Sequence, residues 1–333
     1  AGEKYLSEQE QYPVIMLTLK SAKQPNFQMA YTSLVDEISM EYQRHDYVLE
    51  CDEIIEADKI KFMKIRDRKA EQSDYVKSLL FLSKCLNICS HKKTVILIDE
   101  YDVPLENAYY LGFYDEMIVF LRSLFESALK TNPFLQFSVI TGCLRISKES
   151  IFTGLNNLET ISILNKNYGE YFGFVESEVR EMLSFYQCNA LMDTMQKWYD
   201  GYLFGDAEVY NPWSVINYVK QLATDQRALP IAAWSNTSSN SIVKDLIYHA
   251  SAEVKDEIEG LLNGKSIEEK VHEDITYGDI HETEENLWNF LLFTGYLKVV
   301  SMRLEGADRY VTMTIPNLEV YSIYQNQIIN WFR

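Results

Sequence analysis

The sequence predicts an α/β fold built on a mostly parallel sheet. Three short, mainly apolar runs, at residues 13–20, 94–98 and 134–141, have the composition of strands. Amphipathic patterns with apolar residues three and four positions apart separate them. Strands that alternate with helices form βαβ units, whose strands run parallel. Because parallel sheets are normally covered on both faces, residues 94–98 predict a strand that is buried on both sides.

The first 165 residues are predicted to form this α/β core. Asn26 is the expected N-cap of the first long helix, and Ser73 is the expected N-cap of a helix over residues 74–90. The remaining predicted elements of the core are one or two solvated helices over residues 51–71, a helix over residues 114–130 and a short strand over residues 160–164.

Beyond residue 165 the pattern becomes mainly helical. Residues 166–275 are predicted to form a helical lid domain, and residues 276–333 a winged-helix-like domain. In the latter, a helix from residue 282 leads into two strands, at residues 296–304 and 309–315, and then into a final helix. The predicted helices of the lid lie at residues 176–186, 213–222, 241–249 and 254–262.

The composition is that of a globular protein. The 333 residues are 47% hydrophobic and 24% charged, which allows a sizeable core. A net charge of −18 excludes a chain that coats nucleic acid through a general positive field. The five scattered cysteines fit a reducing compartment, and the sequence contains no stretch typical of a signal peptide or a membrane span. We therefore expect a cytoplasmic protein with no membrane partner.

Two acids directly follow the central apolar run. Asp99 and Glu100 stand at the carboxyl end of the predicted strand, where open α/β sheets bind ligands. This is the form of a Walker B segment, in which Asp99 would hold Mg²⁺ and Glu100 would activate the attacking water. The alternative is a strand end whose acids cap the next helix. Asp102 has two possible roles of equal weight: it positions the ligands around Mg²⁺, or it caps the following turn.

The end of the third predicted strand offers a hydroxyl group and a guanidinium group. Thr141 occupies the position of the polar sensor in additional-strand ATPases, which touches the γ-phosphate or the attacking water. Arg145 would reach a phosphate from the same edge, or act as an arginine finger across the interface of a homo-oligomer. Strand-end packing of Thr141 and a surface ion pair of Arg145 are equally compatible with the sequence.

A Walker B strand implies a phosphate-binding loop, and the nearest match is residues 260–266 (GLLNGKS). Its glycines are one residue too close together and a helix precedes it, so Gly264 is predicted to be a helix C-terminal glycine. The expected fold is therefore an additional-strand P-loop NTPase-like sheet that lacks its N-terminal strand and P-loop, which we expect upstream of residue 1. The rival interpretation is a pseudo-ATPase that binds no nucleotide.

Several segments of the sequence resemble the predicted AAA-ATPase-like family. The segment VILIDEYDVPL at residues 95–105 and the long segment TGCLRISKESIFTGLNNL at residues 141–158 carry the resemblance most specifically. The other matching segments are YFGF at 171–174, WYDGY at 198–202, YNPWS at 210–214, WSNTS at 234–238 and LLFTGYL at 291–297. The resemblance covers nearly the whole chain.

The resemblance implies a bacterial protein that uses ATP and Mg²⁺, with a P-loop upstream and a nuclease-like domain of the PD-(D/E)XK type downstream in the same polypeptide. The expected function is an ATPase-like regulatory or motor module coupled to that domain. The alternative is a pseudo-ATPase that binds a protein or DNA through the winged-helix part. The few cations there, Lys298, Arg303 and Arg309, favour a protein partner. Residues 1–333 alone are expected to bind ATP weakly and to hydrolyse none.

Overall fold

A computed structural model describes residues 3–144, 151–152, 158–234, 246–247, 250–273 and 283–331. The chain divides into two compact units. The first consists of residues 1–158 with 276–278, and the second of residues 159–275 with 279–333. The division of the later residues into a lid and a winged-helix-like domain stays a prediction.

The first unit is an α/β layer with a three-stranded parallel sheet. The strand order is β1-β2-β3, so β2 is central and β1 and β3 flank it. The helices α1, α4 and α6 contact β1, β2 and β3 respectively. The strands are β1 (Val14–Thr18), β2 (Thr94–Asp99) and β3 (Leu135–Ile140), and the helices are α1 (Phe27–Arg44), α2 (Glu56–Arg66), α3 (Gln72–Tyr75), α4 (Ser78–Ser90), α5 (Val103–Leu111) and α6 (Tyr114–Leu129). The predicted α/β class and the three parallel strands are confirmed.

Among the residues that the structure describes, helices cover only one of the two faces of the sheet. Alternate residues of β1 and β2, such as Ile15 and Ile96, are completely buried beneath the helices. On the other face, Met16 of β1 and Phe137 of β3 are 56% and 59% exposed. On the same face Val95 and Leu97 of β2 are only half-buried. The prediction that β2 is buried on both sides therefore does not hold for the part of the chain that the structure describes.

Helix termini show where local sequence signals suffice and where they do not. Asn26 is the N-cap of α1, and its side chain accepts a hydrogen bond from the Met29 amide at 3.0 Å, as predicted. The prediction for Ser73 is wrong, because Ser73 lies inside the one-turn helix α3 and α4 begins only at Ser78. The hydroxyl of Ser127 donates to the Val76 carbonyl at 2.6 Å and so takes an acceptor that a continuous helix would use.

Side chains of α1 close the outer edge of β1. The Glu41 carboxylate accepts a hydrogen bond from the Met16 amide at 2.9 Å, and the Arg44 guanidinium donates to the Val14 carbonyl at 2.5 Å. His45 lies 3.2 Å from both Glu41 and Val14. Backbone groups that a neighbouring strand would otherwise pair are thus occupied, which protects the edge from further strand addition.

Glu41 is expected to make the stability of the first unit depend on acid pH. Burial would raise its pKa, but hydrogen bonds from His45, Arg44 and Met16 outweigh burial and lower the pKa below its ordinary value of 4.5. The stabilising contribution is therefore complete above pH 4.5 and is lost as the pH falls through the lowered pKa. Glu41→Gln is expected to cost about 1–3 kcal/mol at pH 7 and less at pH 3. Urea denaturation at the two pH values tests this, with Glu37→Gln as the control, and an equal loss at both would contradict it.

The second unit combines helices with two small antiparallel sheets. A hairpin pairs β4 with β5, and a three-stranded sheet has the order β6-β8-β7. The strands are β4 (Tyr202–Phe204), β5 (Ala207–Val209), β6 (Ile267–Lys270), β7 (Lys298–Glu305) and β8 (Asp308–Thr314), and the helices are α7 (Glu176–Phe185), α8 (Met192–Tyr199), α9 (Pro212–Leu222), α10 (Ala252–Leu262), α11 (Glu284–Phe293) and α12 (Leu318–Trp331).

The predicted order of helix, two strands and helix near the end of the chain is confirmed by α11, β7, β8 and α12. The sequence reasoning missed β6, which pairs with β8 and makes the hairpin a three-stranded sheet. The winged-helix interpretation stays a prediction. The strand predicted at residues 160–164 is wrong, because the Asn165 side chain accepts from the Ser162 amide at 2.7 Å and closes a turn there. The helix predicted at residues 241–249 falls mostly outside the described residues.

Candidate functional site

The candidate site lies at the carboxyl end of the parallel sheet in the first unit. Register pairs Asp99, the last residue of β2, with Thr18 of β1, and Ile98 with Ile140 of β3. The Thr141 amide donates to the Ile98 carbonyl at 2.9 Å, so the chain just after β3 remains beside the end of β2. Parallel strands thereby bring two of the predicted site segments to one edge.

Asp99 presents a carboxylate at this edge. The side chain is exposed, and its Oδ1 atom accepts hydrogen bonds from the Thr141 hydroxyl at 2.5 Å and from the Glu100 amide at 3.0 Å. Asp99 and Thr141 are thus brought together as the sequence predicts. Both hydrogen bonds fix the orientation of the carboxylate through one oxygen atom.

Glu100 is held in an unusual backbone conformation. Its φ is +55°, in the left-handed region that costs a residue with a Cβ about 1 kcal/mol or more. One side-chain oxygen, Oε1, lies 3.8 Å from the Lys20 ammonium group. The other, Oε2, is buried and has no hydrogen-bond partner among the described residues. Strained residues and unsatisfied buried polar atoms are often found at active sites.

Asp102 is buried and binds the chain that follows β3. It is 2% exposed, and its Oδ2 atom accepts hydrogen bonds from the amides of Cys143 and Leu144 at 2.8 and 3.0 Å. It stands at the N-cap position of α5, but its side chain makes no capping hydrogen bond there. The structure therefore gives Asp102 a direct role in fixing the chain after β3. Its predicted assignment to the Mg²⁺ shell stays a prediction.

Tyr101 and Gly142 complete this arrangement, which we call the β3-loop clamp (Tyr101, Asp102 and residues 142–144). The Tyr101 hydroxyl donates to the Leu144 carbonyl, and a Cβ atom on Gly142 would lie 2.5 Å from the Tyr101 ring and 2.7 Å from the Asp102 carboxylate. Sequence reasoning did not assign a role to Tyr101 or Gly142. The signal was available, because both belong to the two segments of strongest family resemblance.

The remaining predicted site residue, Arg145, lies outside the described residues, and its roles as a phosphate contact or arginine finger stay predictions. Gly264 is confirmed as a helix-terminal glycine. It follows α10 with φ +79°, and the Lys265 amide donates to the Gly260 carbonyl at 2.9 Å. Such hydrogen bonding closes a helix C-terminus.

The residues at the sheet edge fit a Mg²⁺ ion of the kind that accompanies a nucleotide. Among the described residues there is no cluster of three or more His, Cys, Asp or Glu side chains that could form an all-protein metal site. Mg²⁺ in phosphate-transferring sites is typically held by one or two carboxylates together with phosphates and water. An exposed, oriented carboxylate at Asp99, beside the unsatisfied Oε2 of Glu100, meets that requirement.

Two of the comparisons with known proteins give a match. Residues 1–152 match the family described as "Predicted AAA-ATPase". A protein of Azotobacter chroococcum mcd 1, described as "Uncharacterized protein in vnfD 5'region", is 25% identical over 230 residues, which cover 69% of this chain and 41% of the relative. No solved structure matches the chain. Residues 1–152, which carry Asp99, Glu100 and Thr141, are thus similar to the predicted AAA-ATPase family, in agreement with the sequence resemblance.

Proposed function

We propose that the first unit is the hydrolytic half of an ATPase and that the protein is an ATP-dependent regulatory or motor module. The observation that carries this proposal is the edge formed by Asp99, Glu100 and Thr141, in which an oriented carboxylate adjoins a strained glutamate with an unsatisfied oxygen. The match of residues 1–152 to the predicted AAA-ATPase family supports the same reaction class.

Each residue has a distinct role in this proposal. Asp99 holds Mg²⁺, which when bound neutralises charge on the phosphates of ATP. Glu100 orients the attacking water through Oε2 and accepts its proton. Thr141 keeps the Asp99 carboxylate in place through its hydroxyl and offers a polar contact near the γ-phosphate. Arg145 stabilises the negative charge of the transition state, either within one chain or across a homo-oligomer interface.

The phosphate-binding loop is assigned to a segment outside residues 1–333. Two features of the sheet support this assignment. The outer edge of β3 pairs with no other described strand, whereas the outer edge of β1 is closed by Glu41 and Arg44. The face that carries Met16 and Phe137 is exposed, although parallel sheets are normally covered on both faces. A further strand beside β3 and the helix that follows it would complete the sheet and cover that face.

The second unit is proposed to contain the lid and the winged-helix-like part of the ATPase module. These parts are proposed to move when the bound nucleotide is hydrolysed. A nuclease-like domain in the same polypeptide is the proposed target of this response. The matched segment spans only 41% of the curated relative, which leaves room for further domains in proteins of this type. Among the described residues no helix is long and apolar enough to cross a membrane. A cytoplasmic location is proposed because the five scattered cysteines fit a reducing compartment.

Binding of Mg·ATP tests the proposal. Isothermal titration calorimetry is expected to show binding to the native-length polypeptide. Binding to residues 1–333 alone is expected to be at least about tenfold weaker, because the proposed phosphate-binding loop, whose amides would bind the phosphates, lies outside them. Asp99→Asn in the native-length polypeptide is expected to reduce the gain in ATP affinity that Mg²⁺ provides. If the native-length polypeptide binds no Mg·ATP, the pseudo-ATPase that docks a protein or DNA becomes the better account.

A further inference from the structure

The carboxyl end of β1 places a lysine beside the proposed hydrolytic site. The Leu19 amide donates to the Asp99 carbonyl at 3.0 Å, so the hydrogen bonding between β1 and β2 continues past the end of β1. Lys20 is the next residue, and its ammonium group lies 3.8 Å from Oε1 of Glu100. The backbone pairing of the two strands therefore brings Lys20 to the edge that carries Asp99 and Glu100.

The segment that follows Lys20 is fixed to the helix that follows β2. Lys20 begins a single 3₁₀ turn that ends at Ala22, which is completely buried. Further on, the Gln24 carbonyl accepts a hydrogen bond from the Asn107 side chain of α5. The backbone at Lys20 is thus held on both sides, whereas its side chain is 77% exposed. A fixed backbone with an exposed side chain lets the ammonium group reach a ligand at this edge.

The ion pair between Lys20 and Glu100 is weak. At 3.8 Å the ammonium group makes no hydrogen bond to the carboxylate, whereas Lys61 and Asp74 in the same unit approach to 2.7 Å. Exposed ion pairs contribute little to stability, because water screens them and holding long side chains costs entropy. Glu100 therefore does not use the hydrogen-bonding capacity of Lys20.

ATP at this edge requires cations besides Mg²⁺. Asp99 and Glu100 both present carboxyl groups there, and Mg·ATP keeps a net negative charge. Charge on the phosphate oxygens is stabilised in phosphoryl transfer by metal ions together with lysine or arginine side chains. Among the described residues, Lys20 is the cation that forms an ion pair with either carboxyl group.

We propose that Lys20 binds the terminal phosphate of ATP and makes this site select ATP over ADP. The inference rests on the proposed ATPase function, because that function places ATP at the edge formed by Asp99 and Thr141. A lysine ammonium group binds phosphate oxygens as a point charge, through charge-assisted hydrogen bonds that are stronger than those between neutral groups. ADP lacks the phosphate that Lys20 contacts, so this contact contributes to the binding of ATP alone.

Lys23 provides a matched control within the same segment. Its ammonium group lies 3.9 Å from Oε1 of Glu106, and its side chain is 46% exposed. Glu106 belongs to α5 and not to the sheet edge. Lys23→Met therefore removes the same charge and an ion pair of similar length, three residues from Lys20.

Isothermal titration calorimetry with Mg·ATP and Mg·ADP tests the proposal in the native-length polypeptide that carries Glu100→Gln. In this background ATP is expected to stay intact during the titration, and Lys20 has no carboxylate at residue 100 with which to pair. Adding Lys20→Met is expected to weaken Mg·ATP binding about tenfold and Mg·ADP binding by less than about twofold. Lys20→Arg, which keeps the charge, should retain most of the ATP affinity, and Lys23→Met should change neither affinity.

The outcomes separate this inference from the ATPase proposal. Equal weakening of ATP and ADP binding in Lys20→Met would indicate a general effect of charge, and no weakening would indicate a lysine that only pairs with Glu100. Either result, or an equal loss in Lys23→Met, overturns the role of Lys20 and leaves the ATPase proposal standing. If the Glu100→Gln polypeptide binds neither nucleotide, the ATPase proposal is wrong and the role of Lys20 is wrong with it.

Discussion

Glu100→Gln is expected to lower ATP turnover by the native-length polypeptide about 10²–10⁴-fold, the range that general-base catalysis typically contributes. Glutamine keeps the size and one oxygen of the side chain but cannot accept the proton of the attacking water. The left-handed backbone at φ +55° and the unsatisfied Oε2 atom support this proposed role. Measurement of phosphate release under saturating Mg·ATP provides the rate.

Binding of Mg·ATP distinguishes loss of catalysis from loss of the site. In the Glu100→Gln variant, the affinity is expected to stay within about threefold of the wild type, because Asp99 rather than Glu100 is proposed to hold the metal. Glu37→Gln, which changes a glutamate of α1 outside the sheet edge, should alter neither quantity. Unchanged turnover in Glu100→Gln would remove the role assigned to Glu100, whatever the affinity.

Asp102→Ala is expected to destabilise the first unit by about 2–4 kcal/mol. The substitution leaves the part-buried amide of Cys143 and the buried amide of Leu144 without their acceptor, and an unsatisfied buried donor costs about 1–3 kcal/mol. Since Thr141 immediately precedes the clamped residues, turnover should also fall. Asp102→Asn, which retains one acceptor oxygen, should lie between the wild type and the alanine variant in stability.

Urea denaturation and amide hydrogen exchange check the prediction for Asp102. Exchange at Cys143 and Leu144 should accelerate in Asp102→Ala more than exchange elsewhere in the first unit. Asp52→Ala provides a control in the same unit, because Asp52 is exposed. If Asp102→Ala denatures at the same urea concentration as the wild type, the β3-loop clamp does not have the stabilising role given to it.

Sequence reasoning recovered the elements whose signals are local. The apolar runs of β1, β2 and β3 stand out from amphipathic surroundings, and the Asn26 cap depends on an amide only three residues away. At the break between α3 and α4, the Val76 carbonyl accepts from Ser127, which lies on another helix, so the local sequence could not predict this contact. The strand β6 has the polar sequence IEEK and is formed through its pairing with β8, so it lacks the apolar pattern that would predict a strand.

The candidate site was predictable to the extent that parallel strands place their carboxyl ends together. That rule brings Asp99, Glu100 and Thr141 to one edge before any coordinates are known. The direction of the Asp102 side chain was not predictable, because capping α5 and binding the Cys143 amide require the same residue type. The close approach of Gly142 to Tyr101 was likewise not predictable, because it joins two segments that are far apart in the sequence. Asp102 and Cys143, which join the same two segments, are 41 positions apart.

Mg²⁺-dependent phosphate release from ATP by the native-length polypeptide tests the central claim most directly. The proposed site predicts turnover that requires Mg²⁺ and that is lost in Glu100→Gln while Mg·ATP still binds. Tight Mg·ATP binding by the wild type with no phosphate release, or with release that Glu100→Gln leaves unchanged, would contradict the assignment of the Asp99, Glu100 and Thr141 edge as a hydrolytic site.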